Sequence, residues 1–343
     1  MRINILAIES SCDETAVALI SNGKILNNLI ASQMIHAGYG GVVPELASRE
    51  HERTIGGLSE QALHQAGMDW KDLDAIAVTQ GPGLMGSLLV GYCYAKGISV
   101  ALGIPLIQVN HMQAHIMAHF IPDRKPDLPF LCLTVSGGHT QLVLMEELMS
   151  FNLLGQTRDD AVGEAFDKGA KILGLPYPGG PLIDRYAANG NEDAFPFSVS
   201  KMPGLDFSFS GIKTSLLYFI RDRENNHPGF IQNNLHDICA SYQRQLLSML
   251  MEKLELAASL HRVKSIGIAG GVAANSGLRK LLAKKAMEKK WNIFIPDLSY
   301  CADNAAMIAI TAHYKFLAGE FATLNSIPVA SLSADFELNP SLR

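Results

Sequence analysis

No two of the five cysteines in this 343-residue chain form a C-x-x-C pair. Cys12, Cys93, Cys132, Cys239 and Cys301 are scattered, which excludes a disulfide framework and points to a reducing compartment; a cytoplasmic location is expected. Charge is scarce too, at 18% of residues with a formal net charge of -5. A chain with that balance projects no global basic field, so any grip on nucleic acid needs a local patch or a partner protein. No apolar run reads as long and charge-free enough to span a bilayer, and no membrane association is expected. Residues Met1 to Glu9 read as a strand with an acid at its end rather than a signal peptide. Low-complexity segments are absent. What is present is 48% hydrophobic content over a length sufficient for two domains with a large core.

One short string carries chemistry. Asn110-His111-Met112-Gln113-Ala114-His115 places two histidines at i and i+4, one above the other on a helix face. Asp303, in Tyr300-Cys301-Ala302-Asp303-Asn304, offers a carboxylate. Two imidazoles and one carboxylate suit a divalent metal and leave coordination positions for a substrate. The string lacks the Glu of His-Glu-x-x-His, so a metal here orients a substrate rather than driving peptide hydrolysis. The other reading is a pair of ordinary helix histidines.

The chain contains one plan twice. Ile3 to Ile8 is an apolar strand, Glu9 to Thr15 a polar turn, and Ala16 to Ile20 a second strand. Phe130 to Val135, Ser136 to Thr140 and Gln141 to Met145 repeat that hairpin. Each is followed by a strand, a glycine turn and a helix. In the first half these are Ala75 to Val78, Gly81-Pro82-Gly83 and a helix from about Leu84. In the second they are Ser265 to Ile268, Gly270-Gly271-Val272 and a helix from about Asn275. Glycine turns feeding helix N-termini let a ligand reach free N–H groups, or are merely tight connections. The expected class is an α/β duplication. An insertion at about 151–240 carries glycine-rich and aromatic loops of the kind that bear function. Arg221 to Asn234 reads as an exposed loop, and the chain after about Ile327 as a loosely packed end.

Taken together, Glu9-Ser10-Ser11-Cys12-Asp13-Glu14-Thr15, Gly40-Gly41-Val42-Val43-Pro44-Glu45, Gly81-Pro82-Gly83, His111 with His115, Val135-Ser136-Gly137-Gly138-His139-Thr140, Gly163 to Lys168, Tyr177 to Pro181, Asp206 to Gly211, Gly270 to Asn275 and Asp303-Asn304 resemble the TsaD family. These are bacterial tRNA threonylcarbamoyladenosine transferases, formerly described as O-sialoglycoprotein endopeptidases. The resemblance implies a duplicated actin-like ATPase (ASKHA) α/β fold, two lobes around a nucleotide cleft. The first lobe is expected at 1–128, the second at 129–328, and a tail at 329–343. It implies transfer of a threonylcarbamoyl group from threonylcarbamoyl-AMP to N6 of the adenosine beside the tRNA anticodon. It implies one divalent metal ion, iron or zinc, on His111, His115 and Asp303. Substrate or nucleotide contacts, including ATP or ADP, map onto Thr134, Val135, Ser136, Gly137, Gly138, Asp167, Gly180, Asp184 and Asn275. The implied partners are tRNA, TsaB and TsaE, with a TsaC-type enzyme making the donor. Where family members often have His-His-Met-Glu-x-His, this chain has Asn110 and Gln113. Both ligand positions survive, so only the tuning around the metal differs.

A carbamate–phosphate mixed anhydride is already activated, so no covalent nucleophile is needed. The enzyme must hold the carbonyl, stabilise charge on its oxygen and place the amine. Backbone N–H groups of Ser136-Gly137-Gly138 can meet a phosphate. Asp167 and Asp184 can accept ribose hydroxyls or can be helix-start carboxylates, and Asn275 can contact the ligand or act as an N-cap. Asp13 and Glu14 would repel a bare phosphate. They suit a metal, a water or the acceptor amine, where one accepts a proton, and they are the candidate catalytic acids. Arg279 to Lys290 forms a cationic helix, either a tRNA contact or a solvated face. A small-molecule kinase or a nucleotide-regulated binding protein of the same fold is the alternative, and neither needs the paired histidines.

Overall fold

The computed structural model describes residues 2–199 and 202–333. The chain divides into two compact units, 1–125 with 297–343 and 126–296.

Unit 1 begins with the expected hairpin, β1 (Asn4–Glu9) and β2 (Glu14–Ser21), extended by β3 (Lys24–Ser32). Helix α1 (Pro44–Ala66) leads to β4 (Ala75–Gly81), α2 (Met85–Leu102), β5 (Leu106–Asn110) and the short α3 (His111–Met117). The sheet order is β3-β2-β1-β4-β5, with β1 antiparallel to β2 and parallel to β4. All six residues of β1 and all seven of β4 are buried, as expected of strands covered on both faces. Leu6, Ile8, Val17, Leu19, Ile76 and Val78 share one core with Ile55 and Leu63 of α1 and Tyr92 of α2. The alternate residues, Ala7, Ala16, Ala18 and Ala77, point to the opposite face.

Unit 2 repeats the plan. Its strands and helices are β6 (Phe130–Val135), β7 (Thr140–Met145), β8 (Asn152–Gln156), α4 (Val162–Ile172), α5 (Gly180–Ala187), α6 (Ser210–Asn226), α7 (Phe230–Leu260), β9 (Ser265–Ala269), α8 (Ser276–Lys289) and β10 (Asn292–Phe294). Its sheet runs β8-β7-β6-β9-β10, the order of unit 1 with every element replaced by its counterpart. A last helix, α9 (Ala305–Leu317), packs on β1, β2 and β3. Its Ala305, Ala306, Ala309 and Ala312 are fully buried, and small residues there match the alanine-rich strand face.

Four expectations need correction. The boundary expected at 328 falls near 296, because α9 contributes its apolar face to the first sheet. The insertion expected from 151 begins after β8, which is a strand of the repeated sheet. The polar stretch 221–234 is not a loop. It is the last turns of α6 and the first of α7, with the Glu224 carboxylate accepting from Gly229 N at 3.0 Å and Ile231 N at 2.7 Å. The segment after Ile327 is held, not loose, as far as it is described. Val329 N donates to Gln80 O, Gly83 N to Ala330 O, and Asn110 Nδ2 to Ser333 O. The rest of the expected tail, 334–343, lies outside the described residues. Among the described residues, α2 has the length and composition that a membrane span shares with the core helix of a compact domain. In this fold it packs on β4 and α1 through Ser87, Leu88, Gly91, Tyr92 and Ala95.

Candidate metal centre and glycine turn

The candidate metal residues lie just after β5 and just before α9. Strand β5 ends at Asn110, whose Oδ1 accepts from Met112 N at 2.9 Å and Gln113 N at 3.2 Å. That cap starts α3 at His111, so both histidines sit on a helix anchored at the sheet edge. Asp303 precedes α9, where Asn304 caps through Met307 N at 3.0 Å. Two caps thus fix the two segments that bear the three side chains. His111 Nε2 lies 3.4 Å and His115 Nε2 3.2 Å from Asp303 Oδ1, and one ligand atom from each residue falls within 4.8 Å of the others. His115 is 1% exposed, yet among the described residues neither of its ring nitrogens makes a hydrogen bond of good geometry.

Burial alone would raise the Asp303 carboxyl and lower His111. The attraction between them and their hydrogen bonds prevail, so Asp303 is held well below the usual carboxylate range and His111 well above its usual value. A half-buried acid paired with two buried imidazoles is a site whose proton charge a cation can replace.

The turn from β1 to β2 brings Asp13 and Glu14 to this edge. It is clamped by its backbone. His51 Nε2 and Ser87 Oγ both contact Cys12 O, at 2.9 and 3.0 Å, and Leu84 N donates to Ser11 O at 2.8 Å. His51 Nδ1 also meets Thr15 Oγ1 at 2.8 Å. Burial, then the Asp303 and Asp13 charges, push Glu14 up to about 9, so before any cation binds it keeps its proton at neutral pH. Burial and the surrounding carboxylates push the Cys12 thiol far up as well. It is therefore no thiolate nucleophile at neutral pH.

In unit 2 the turn after β6 holds the expected contacts. Thr134 and Val135 are buried strand residues, while Gly137 and Gly138 are exposed. Ser136 N donates to His139 O, and His139 N to Ser136 Oγ, closing the turn. The N–H groups of Gly137 and Gly138 have no hydrogen-bond partner among the described residues. Gly163 brings the first turn of α4 against this loop; a Cβ there would lie 2.5 Å from Ser136 O. Exposed N–H groups beside a helix N-terminus can take an anion.

The other expected contacts are engaged internally. Asp167 Oδ1 accepts from Gly179 N at 2.8 Å and Gly180 N at 3.0 Å. Asp184 takes Ser276 N, Ser276 Oγ, Gly277 N and Gln243 Nε2. Asn275 Oδ1 caps α8 through Leu278 N at 2.8 Å, and its Nδ2 donates to Gln243 Oε1 at 2.7 Å. Asp184 and Asn275 therefore build the start of α8 whatever else they do.

The comparisons with known proteins agree with this reading. A model of the TsaD family, tRNA N6-adenosine threonylcarbamoyltransferase, matches residues 24–310. Proteins of that name from Cytophaga hutchinsonii and Christiangramia forsetii are each 55% identical, covering 94% of this chain and 94% and 95% of theirs. One from Porphyromonas gingivalis is 48% identical over 96% of this chain and 98% of its own. The chain belongs to the TsaD family. Among solved structures, HypF from T. kodakarensis aligns with a TM-score of 0.63 at 15% identity, over 93% of this chain and 48% of that one. Component A of the Acidaminococcus fermentans (R)-2-hydroxyglutaryl-CoA dehydratase aligns at 0.54 and 17% identity, over 91% and 98%. These are likenesses of fold, and the fold is the actin-like ATPase one.

For a TsaD-family chain a metal ion is implied, and His111, His115 and Asp303 fit it. The deciding feature is the buried His115 Nε2, which meets a carboxylate oxygen at 3.2 Å and, among the described residues, makes no hydrogen bond of good geometry. Borderline imidazole donors with one carboxylate suit zinc or iron. Sequence reading missed Glu9, which touches His111 directly, and His51 and Gln243, which brace the two loops. The signal for Glu9 was an acid closing an otherwise apolar strand.

Proposed function

We propose that this chain transfers the threonylcarbamoyl group from threonylcarbamoyl-AMP to N6 of the adenosine beside the anticodon in tRNAs reading codons that start with A, forming t6A. The observation that carries it is the convergence of the His111 and His115 Nε2 atoms on Asp303 in a chain of this family. A kinase or a plain nucleotide-binding protein has no use for that cluster.

His111, His115 and Asp303 would hold the ion, iron or zinc, and when bound it supplies Lewis-acid polarisation and a template for the donor. Gly137 and Gly138 N–H groups take a nucleotide phosphate, with Thr134, Val135, Ser136, Asp167, Gly180, Asp184 and Asn275 around that contact. The amine nitrogen attacks the carbamoyl carbon, a C–N bond forms, the C–O bond to phosphate breaks, and AMP leaves. N6 must shed one proton, which we assign to Asp13, with Glu14 beside it at the same turn. The urea so formed needs no enzyme-bound intermediate, in keeping with the unreactive Cys12 thiol.

The reading includes a cytoplasmic setting, a TsaC-type enzyme supplying the donor, and TsaB and TsaE as partners. For TsaB we favour the outer face of α1 and α2. Met85 and Leu89 are each 43% and Val100 63% exposed there, beside a groove lined by Glu52, Ile55, Val90, Cys93 and Tyr94. The test is nucleoside analysis of unmodified tRNA incubated with the chain, TsaB, TsaE, a TsaC-type enzyme, threonine, bicarbonate and ATP. t6A that requires this chain is the expected product; its absence from the complete mixture, with each partner shown active alongside a known TsaD, refutes the reading.

A further inference from the structure

Glu9 closes β1 with a side chain that is 0% exposed. An unpaired carboxylate so placed would be costly, and the chain gives it three donors. Ser11 N donates to Oε1 at 2.5 Å, Thr79 Oγ1 to Oε2 at 2.5 Å, and His111 Nδ1 lies 3.0 Å from the same Oε2. Ser11 Oγ also lies 3.3 Å from that ring nitrogen, and a carboxylate outcompetes a hydroxyl for the proton. Strand β1 supplies Glu9 and β4 supplies Thr79, so the acceptor is mounted on the most buried part of the sheet.

Resting on the metal reading above, we propose that Glu9 is a positioning residue for His111. It accepts the Nδ1–H, and so fixes the tautomer and ring plane in which Nε2 presents its lone pair beside His115 Nε2 and Asp303. Two neutral imidazoles carry no charge, and the Asp303 and Glu9 carboxylates supply negative charge that favours a divalent cation. Among the described residues His115 has no such partner on Nδ1; its ring meets His111 edge-on and faces Asp303, so the ligand fixed by a hydrogen bond on Nδ1 is His111. Partners of this kind typically contribute 10–100-fold to metal affinity.

The test uses the full chain and Zn2+ as the probe, titrated in competition with a chromogenic chelator. Wild type should bind one Zn2+. His115→Ala should lose the site, and Glu9→Gln should retain the stoichiometry with roughly 10–100-fold weaker affinity and an unchanged far-UV circular dichroism spectrum. Wild type with 15N-labelled histidine gives a second readout that does not depend on the variant folding. In the Zn2+ form, His111 should carry its proton on Nδ1 and none on Nε2. Equal Zn2+ affinity in folded Glu9→Gln overturns the role of Glu9 and leaves the metal site standing, whereas a His111 proton on Nε2 in the Zn2+ form overturns that role and His111 Nε2 as a ligand. A wild type that takes up no Zn2+ and no Fe2+ overturns both.

Discussion

At the scale of single residues, Gly137 is the sharpest case. Its φ lies outside the left-handed range that favours glycine, and an added Cβ would meet nothing within 4 Å. The fold therefore makes no demand for glycine here. What remains is the approach of something from outside to the exposed N–H groups of Gly137 and Gly138. Gly137→Val should leave the thermal midpoint within about 1–2 °C, since exposed substitutions seldom exceed about 0.5 kcal/mol. It should lower nucleotide affinity by tenfold or more in calorimetry. Unchanged nucleotide binding by the folded variant would remove this turn from the site. Gly163 and Gly270 are different, because a Cβ at either would strike the backbone of Ser136 or Val135, so substitution there tests packing and not binding. The sequence made the metal residues legible through their types and the i, i+4 spacing. It could not reveal Glu9, because an acid ending a strand looks the same whether it faces water or a histidine. Nor could it separate the ligand roles of Asp184 and Asn275 from their work at the start of α8, since both roles ask for the same side chains.

At the scale of elements, helix starts repay attention. Helix α6 begins at Ser210 with no cap of its own. Asp159, distant in sequence, takes its place: it accepts from Phe209 N at 2.7 Å, Ser210 N at 3.3 Å, Ser208 Oγ at 2.5 Å and Ser210 Oγ at 2.7 Å. Partial burial works against its charge, but these donors prevail and hold its carboxyl below the usual range. A depressed value means the stabilisation is full above about pH 4 and fades as pH falls through the folded-state value. Asp159→Ala should cost about 1 kcal/mol at pH 7 and nothing below the folded-state value, read by denaturant midpoints across pH. An equal loss at both extremes would mean the residue packs rather than caps. Helix α8 shows how a cationic stripe is divided. Lys285 and Lys289 grip Glu255, and Arg279 donates to the carbonyls of Ala273 and Pro296. Lys280 and Lys284 are in no ion pair among the described residues. If tRNA lies on α8, Lys280→Ala with Lys284→Ala should flatten the log affinity against log salt slope by about one to two, whereas Lys285→Ala with Lys289→Ala should lower stability and leave the slope alone. Identical slopes in both pairs would take tRNA off this helix. The hairpins and glycine turns were legible because they combine apolar strands with abrupt polar punctuation. β3 was not, since its half-exposed residues lack a clean apolar run, and β10 is only three residues long.

At the scale of the whole molecule, the formal charge of -5 hides an asymmetry. Unit 1 holds 10 Lys and Arg against 16 Asp and Glu, and unit 2 holds 18 against 17. The unit bearing the His111–His115–Asp303 cluster is thus the acidic one, and it repels a polyanion at long range. Unit 2 is close to neutral, and several of its cations are spent on internal ion pairs with Asp160, Asp193, Asp206 and Glu255. A few remaining lysines and arginines can neutralise only a few phosphates, and each released counterion contributes to an affinity that falls steeply with salt. The chain alone should therefore bind tRNA no better than the nonspecific range, about 10⁻⁴–10⁻⁶ M at physiological salt. Tight binding should appear only when TsaB and TsaE add basic surface. Gel-shift titration of one tRNA against the isolated chain and against the assembled proteins, at two salt concentrations, decides it. Nanomolar, salt-resistant binding by the chain alone would show that local geometry, and not the distribution of charge, governs recognition.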